Sequence, residues 1–130
     1  MDANLNRAKE GLRVCEDICR FVWDQKIWTR RFKDIRHQLT AAAAGLGGAK
    51  LIGARDIERD IGKKTILPEM KRGDVDDIFF ANVQRVKESV RVLEEFAKIR
   101  HGDLAEGFKK LRYQVYALER KIVKGCQCAF

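Results

Sequence analysis

Two asparagine–arginine pairs with the same spacing could bind an anion. Asn4 lies three residues before Arg7, and Asn82 lies three residues before Arg85. Residues three apart are neighbours on a helix surface. The planar guanidinium of arginine can hold two phosphate oxygens at once, and an asparagine amide can donate a further hydrogen bond. The spacing therefore predicts that Arg7 and Arg85 clamp phosphate oxygens, with Asn4 and Asn82 beside them.

Ion pairing within each helix is the competing interpretation. Glu10 follows Arg7 by three residues, and Glu88 follows Arg85 by the same interval. A helical wheel at about 100° per residue places both arginines inside the apolar arc and both glutamates at its edge. A lone charge buried there would be costly, so each arginine needs either its glutamate or a bound anion. Glu10 and Glu88 are therefore candidate site residues as well.

A charged stretch in the middle of the chain contains the ingredients of a magnesium and phosphate site. Asp56 and Asp60 could hold Mg²⁺ through carboxylate oxygens and water. Arg55 and Lys63 could neutralise the charge that develops on a transferred phosphoryl group. The glycine spacing here does not match a P-loop. A charged surface loop without a ligand is the alternative.

A duplicated segment is the most informative feature for the fold. The stretch ANLNRAKEGLRVCED from residue 3 matches ANVQRVKESVRVLEE from residue 81, and FKDIRHQLTA from residue 32 matches FKKLRYQVYA from residue 108. We expect the two copies to pack about a local twofold axis, so that a site on the axis receives residues from both. Gly11 and Ser89, one turn beyond the arginines, either leave room for a ligand or permit close helix packing.

Apolar residues recur at helical spacing in four stretches, and the scarcity of proline favours long helices. The predicted helices span residues 2–22, 28–44, 75–99 and 104–124, and Gly125 is the expected end of the last one. The predicted fold is an all-α helical bundle of two repeated antiparallel helix pairs in a single domain, residues 1–130. Repeat one covers residues 2–48, a charged middle segment covers 49–73, and repeat two covers 74–125.

Three further sets of residues are expected to have structural roles, in the core or on a solvated helix surface. The first helix should bury an apolar stripe, with a second stripe beside it: Leu5, Ala8, Leu12, Cys15, Cys19 and Val22, then Val14, Ile18 and Phe21. Most aromatic residues fall at core-facing or near-core spacing: Trp23, Trp28, Phe32, Phe108, Tyr113 and Tyr116. Charged residues three and four apart are most often a solvated helix surface: Glu10, Arg13, Glu16 and Asp17, with Glu88, Arg91, Glu94 and Glu95.

Charge and cysteine content limit the kinds of ligand and partner that the protein is expected to bind. The net charge of +8 and the pI of about 9.5 attract anions. Basic residues are interleaved with acids and form no basic tail, which argues against nucleic acid as a partner. The four cysteines and two histidines match no metal-ligand spacing. No run reaches membrane-spanning length and no signal peptide is evident, so we expect a cytoplasmic protein without membrane contact.

Four stretches of the chain resemble the small hydroxymethylpyrimidine-phosphate kinase family of thiamin biosynthesis. They are DANLNRAKEGLRVCED from residue 2, ARDIERDIG from residue 54, ANVQRVKESVRVLEEF from residue 81 and RYQVYALE from residue 112. That family occurs alone or fused ahead of thiamin-phosphate synthase. The resemblance implies transfer of a phosphoryl group from ATP to the pyrimidine monophosphate, and it implies a standalone version, since no synthase barrel follows residue 130.

The same resemblance sets the expected partners. They are a phosphorylated pyrimidine and ATP, with Mg²⁺ as cofactor. A homo-oligomer or association with thiamin-phosphate synthase is a further expectation. The alternative function is a non-catalytic helical module that binds phosphate or a partner protein in thiamin synthesis.

Overall fold

The computed structural model describes residues 1–46 and 73–128, with side chains as far as residue 125. This part of the chain is helical and contains no strand, which confirms the predicted all-α bundle. Helix α1 spans Asp2–Asp17 and continues through one π-helical turn, Ile18–Val22. Helix α2 spans Lys26–Ala44, α3 spans Val75–Arg100, and α4 spans Gly102–Cys128.

The last helix extends past the glycine at which its end is predicted. Gly125 is the predicted terminus, yet α4 continues to Cys128. A Cβ atom on Gly125 would lie 3.2 Å from the nearest ring atom of Trp28. Helices tolerate an interior glycine at a cost of about 1 kcal/mol relative to alanine, and here the missing side chain makes room for the indole of α2.

The four helices form a ring in which each packs against two neighbours. Helix α1 contacts α2 and α3, and α4 contacts the same two helices. The Cys15 Sγ lies 3.9 Å from the carbonyl oxygen of Phe79, whereas a Cβ atom on Gly11 would approach Val86, so α1 and α3 are antiparallel. Likewise Gly45 meets Leu104, while Trp28 meets Gly125 at the other end of the same pair. Helix α4 begins directly after the end of α3, so the end of α2 lies beside the end of α3. The end of α2 and the start of α3 therefore lie at opposite ends of the bundle.

The α1 stripe is buried as predicted along most of its length. The first-stripe members from Leu5 to Cys19 are at most 8% exposed, and in the second stripe Ile18 is buried and Val14 is half-buried. Phe21 and Val22 are exposed, which corrects the prediction. The reason is the π-helical turn at Ile18–Val22, since a π-helical turn holds more residues than an α-helical one and rotates the later residues off the stripe.

Cys15 and Cys19 behave as small apolar residues. Burial raises the pKa of Cys19 to about 12 and raises that of Cys15 as well, so both stay neutral thiols at physiological pH. In the part of the chain that the structure describes, no group of three or more His, Cys, Asp or Glu residues could hold a metal ion.

Aromatic residues divide between core and surface. Phe32 and Phe108 are buried in the core, as is Phe79. Tyr113 and Tyr116 are exposed, contrary to the prediction, and the guanidinium carbon of Arg112 lies 5.0 and 5.9 Å from their ring centres. No helix within the described ranges is long and apolar enough to cross a membrane.

Candidate functional site

The first asparagine–arginine pair lies at the start of α1 and forms a contact of its own. Asn4 and Arg7 are both half-buried. The Arg7 Nη1 donates a hydrogen bond to Asn4 Oδ1 at 3.4 Å. This long hydrogen bond occupies one of five guanidinium donors and leaves the amide N–H groups of Asn4 pointing to no partner among the described residues.

The second pair is placed less deeply. Asn82 is half-buried, and its Nδ2 donates to the carbonyl oxygen of Ile78 at 2.8 Å. Arg85 is exposed, so the wheel was wrong to place it inside the apolar arc. Two residues along α3, Lys87 binds Glu119 of α4 at 2.8 Å. Because residues two apart are about 200° apart around a helix, Arg85 lies on the side of α3 that faces away from α4.

The intrahelical salt bridges of the competing interpretation are absent from the described part of the chain. Neither Arg7 with Glu10 nor Arg85 with Glu88 lies within ion-pair distance there. Both glutamates are exposed, and Glu88 accepts a hydrogen bond from Gln84 at 2.9 Å. Ion pairing with Glu10 and Glu88 therefore does not explain the positions of the two arginines.

Gly11 and Ser89 are both buried, and Gly11 lies at the contact between α1 and α3. A Cβ atom on Gly11 would lie 2.7 Å from Cγ2 of Val86 and 3.1 Å from the carbonyl oxygen of Asn82. Gly11 thus serves close helix packing. The backbone of Asn82 therefore lies beside α1 at Gly11, which is four residues beyond Arg7. We call Asn4, Arg7, Asn82 and Arg85 together the arginine face; among the described residues no hydrogen bond or ion pair joins the first pair to the second.

The remaining predicted site residues lie outside the described residues. They are the proposed magnesium ligands Asp56 and Asp60 and the proposed phosphate neutralisers Arg55 and Lys63. Their roles stay predictions from the sequence.

The most buried charged groups are two glutamates that the sequence interpretation assigned to a solvated surface. Glu16 is 0% exposed and Glu94 is 2% exposed. Glu16 lies 3.1 Å from the Nη1 of Arg13 and 3.3 Å from the Nη2 of Arg36 on α2. Burying a carboxylate without partners would be prohibitive, so this cluster is what permits the burial.

The second glutamate repeats the arrangement between α3 and α4. Glu94 accepts a hydrogen bond from Arg112 Nε at 2.9 Å and another from Arg91 Nη1 at 3.3 Å. The hydrogen bond to Glu94 raises the pKa of Arg112. The two clusters, Arg13–Glu16–Arg36 and Arg91–Glu94–Arg112, link each pair of hairpin helices through charge.

A signal for these clusters was present in the repeat. Glu16 matches Glu94 in the first repeated stretch, and Arg36 matches Arg112 in the second. An acid and a base that recur together on two helices of one hairpin indicate a paired contact. The spacing within one helix predicts only a solvated charged surface, because it gives no information about which residues of the neighbouring helix lie opposite.

Comparison with known proteins identifies the relatives of this chain. A model of the ThiD2 family matches residues 1–121. The chain belongs to the ThiD2 family. The family resemblance drawn from the four stretches of sequence is thereby confirmed.

Curated relatives of this ThiD2-family chain are thiamine-phosphate synthases. It is 42% identical over 120 residues to that of Synechocystis sp., 38% over 124 residues to that of Nostoc punctiforme, and 36% over 123 residues to that of Rhodopirellula baltica. These alignments cover 92%, 95% and 94% of the chain, but 34%, 34% and 33% of the relatives. The chain thus spans about a third of the length of the curated relatives it matches. No solved structure matches it.

Proposed function

We propose that this chain is a kinase of thiamin biosynthesis that phosphorylates hydroxymethylpyrimidine monophosphate to the diphosphate with ATP and Mg²⁺. An oxygen of the acceptor phosphate attacks the γ-phosphorus of ATP, the bond from that phosphorus to the β-phosphate oxygen breaks, and ADP leaves. Membership of the ThiD2 family and the thiamine-phosphate synthase relatives support the pathway.

One structural observation carries the assignment of the site. Arg7 is a half-buried cation that is paired with an amide oxygen and with no carboxylate in the described part of the chain. Other part-buried arginines do have carboxylate partners, as Arg36 has Glu16 and Arg112 has Glu94. A half-buried guanidinium with no acid partner among the described residues can take an oxyanion, and a phosphate fits its planar donor geometry.

The roles within the proposed reaction follow from charge. Arg7 and Arg85 bind phosphate oxygens, and Asn4 and Asn82 donate amide hydrogen bonds to them. Phosphoryl transfer between two phosphates depends on positioning and charge neutralisation, and the acceptor is already ionised at neutral pH. The proposed transfer therefore needs no strong general base.

The divalent cation and the neutralising groups come from the sequence prediction alone. Asp56 and Asp60 are the proposed Mg²⁺ ligands, with Arg55 and Lys63 at the transferred phosphoryl group. A bound Mg²⁺ would screen the charge that the phosphates share.

A coupled assay of ADP release tests the proposal on the full chain. With hydroxymethylpyrimidine monophosphate, ATP and Mg²⁺, we expect turnover that falls at least about a hundredfold in Arg7→Ala, because one charge-stabilising donor contributes roughly that much to the rate. Arg85→Ala should fall less, since its side chain is exposed. The matched control is Arg120→Ala, which removes an equal charge from an exposed position on α4.

The outcome separates the kinase from the non-catalytic module. Loss of turnover in Arg7→Ala with wild-type activity in Arg120→Ala supports the site. Absence of turnover by folded wild type would contradict the kinase activity. Equal losses in Arg7→Ala and Arg120→Ala would remove the arginine face from the mechanism and leave net charge as the cause.

A further inference from the structure

A second basic site lies at the turn between the first two helices, at the opposite end of α1 from Arg7. A cleft of about 350 Å³ opens between the π-helical turn and the first turns of α2. Its charged walls are Arg20, Asp24, Lys26, Arg30 and Lys33. We call it the turn cleft. Its volume falls in the range of small-molecule pockets, and four cations and one acid are among the residues that line it.

Most of these cations have no partner of opposite charge. Lys26, Arg30 and Lys33 form no ion pair within the described ranges. Arg20 has a distant one, with its Nη2 3.9 Å from Glu16 Oε1. Like charges gathered around one cleft repel each other, so their concentration here costs stability unless an anion occupies the space.

The duplication supplies an internal comparison. Aligning Phe32 with Phe108 places Glu106 at the position of Arg30 and Gly102 at the position of Lys26. The corresponding turn of the second hairpin therefore lacks two of the four cations. The charge of the turn cleft is a local feature of the first hairpin and does not follow simply from the net charge of +8.

We infer that the turn cleft binds the condensed phosphate chain of a small molecule, a diphosphate or triphosphate, at a site separate from the arginine face. Arg20 and Arg7 are thirteen residues apart on one continuous helix, which corresponds to about 20 Å at 1.5 Å per residue. A phosphate group at one site cannot contact the other. A condensed phosphate chain carries several closely spaced negative charges, and it therefore matches several neighbouring cations better than a monophosphate does.

Tryptophan fluorescence offers a local readout. The chain has two tryptophans, and both lie at this turn, where the rings of Trp23 and Trp28 are 6.2 Å apart. Titration with inorganic pyrophosphate, ATP and inorganic phosphate in turn should give saturable signals for the first two and at least about tenfold weaker binding for the third. Equal affinity for pyrophosphate and ATP would identify the bare phosphate chain as the ligand, and tighter binding of ATP would identify a nucleotide.

Two adjacent charge reversals isolate the cleft. Arg30→Glu copies the residue of the second repeat, and it should weaken pyrophosphate binding about tenfold or more, since a charged hydrogen-bond partner is replaced by a repelling group. Arg31→Glu makes the same change one residue on, outside the cleft lining, and should stay within about twofold. Both positions are exposed, so neither change removes core packing.

The inference is overturned by equal weakening in the two variants, by wild type that binds no pyrophosphate, or by a signal that only an oligonucleotide produces. The titration needs no turnover. Pyrophosphate binding that survives in Arg7→Ala and disappears in Arg30→Glu supports the turn cleft whether or not the chain proves to be a kinase.

Discussion

At the scale of single residues, the buried carboxylate of Glu94 links α3 to α4. Its side chain is 3% exposed, and that of Arg112 is 12% exposed. An ion pair so well shielded from water differs from the surface pairs of the same helix, such as Arg91 with Glu95 at 2.9 Å, where both partners are about half exposed. Surface pairs contribute little, whereas removing one partner of a buried pair strands the other charge.

Glu94→Ala should therefore lower the free energy of unfolding by about 3 to 5 kcal/mol, the loss typical of a broken buried pair. Urea unfolding followed by circular dichroism measures it. Glu95→Ala is the matched control, because Glu95 is the next residue on the helix and shares Arg91 as a partner. We expect the control to lose a small fraction of that amount. Equal losses in the two variants would contradict a special role for burial.

Single residues also show which side-chain positions the sequence predicts and which it does not. Asn4, Arg7 and Asn82 are placed at half-buried positions, close to the prediction, because helical periodicity determines which side of a helix a residue occupies. Glu16 and Glu94 were misassigned because their partners Arg36 and Arg112 lie on other helices. Periodicity contains no information about which helix covers a face.

At the scale of elements, the contact between α1 and α3 depends on a residue without a side chain. Gly11 faces Val86 and the backbone of Asn82 so closely that no Cβ atom fits without a shift. Val86 is 1% exposed and branched at Cβ, so it has little freedom to move away. The separation of these two helices therefore depends on glycine at position 11.

Gly11→Ala should destabilise the bundle by about 1 kcal/mol. Overpacking costs about 1 to 3 kcal/mol, and the better helix propensity of alanine returns up to about 1 kcal/mol. Gly107→Ala is the matched control on α4, where a Cβ atom would meet nothing within 4 Å, and it should stabilise by about 0.5 to 1 kcal/mol. Thermal unfolding distinguishes the two signs. Stabilisation by Gly11→Ala would show that the helices are free to move apart.

The helix boundaries were the part of the fold that the sequence predicted best, and the differences between predicted and observed boundaries have local causes. The predicted first helix, residues 2–22, agrees with α1 and its π-helical turn together, because one apolar stripe and no proline cover that stretch. The π-helical turn itself was not foreseen, since its hydrogen-bond pattern leaves no distinct spacing over five residues. Gly125 does not end α4, and a Cβ atom at this position would lie against Trp28 of α2.

At the scale of the whole molecule, the core is shared between the two hairpins. Helix α1 packs on α3 and α2 packs on α4, so each hairpin presents its apolar face to the other. The antiparallel α1–α3 pair is compatible with a twofold axis running across these two helices, and the two Arg–Glu–Arg clusters occupy corresponding positions in the two hairpins. The repeat predicted a bundle of two helix pairs. It could not predict which helices would be neighbours.

A shared core predicts that neither hairpin folds alone. A fragment of residues 1–46 should show little helix by circular dichroism and no cooperative unfolding, because the faces that meet α3 and α4 would be open to water and short helices are marginal without packing. Mixing it with a fragment of residues 47–130 should restore the helical signal at about one-to-one stoichiometry. The Gly11→Ala change in the first fragment should weaken this association, and Gly107→Ala in the second should not. A fragment of residues 1–46 that unfolds cooperatively as a monomer would show that each hairpin is an independent folding unit.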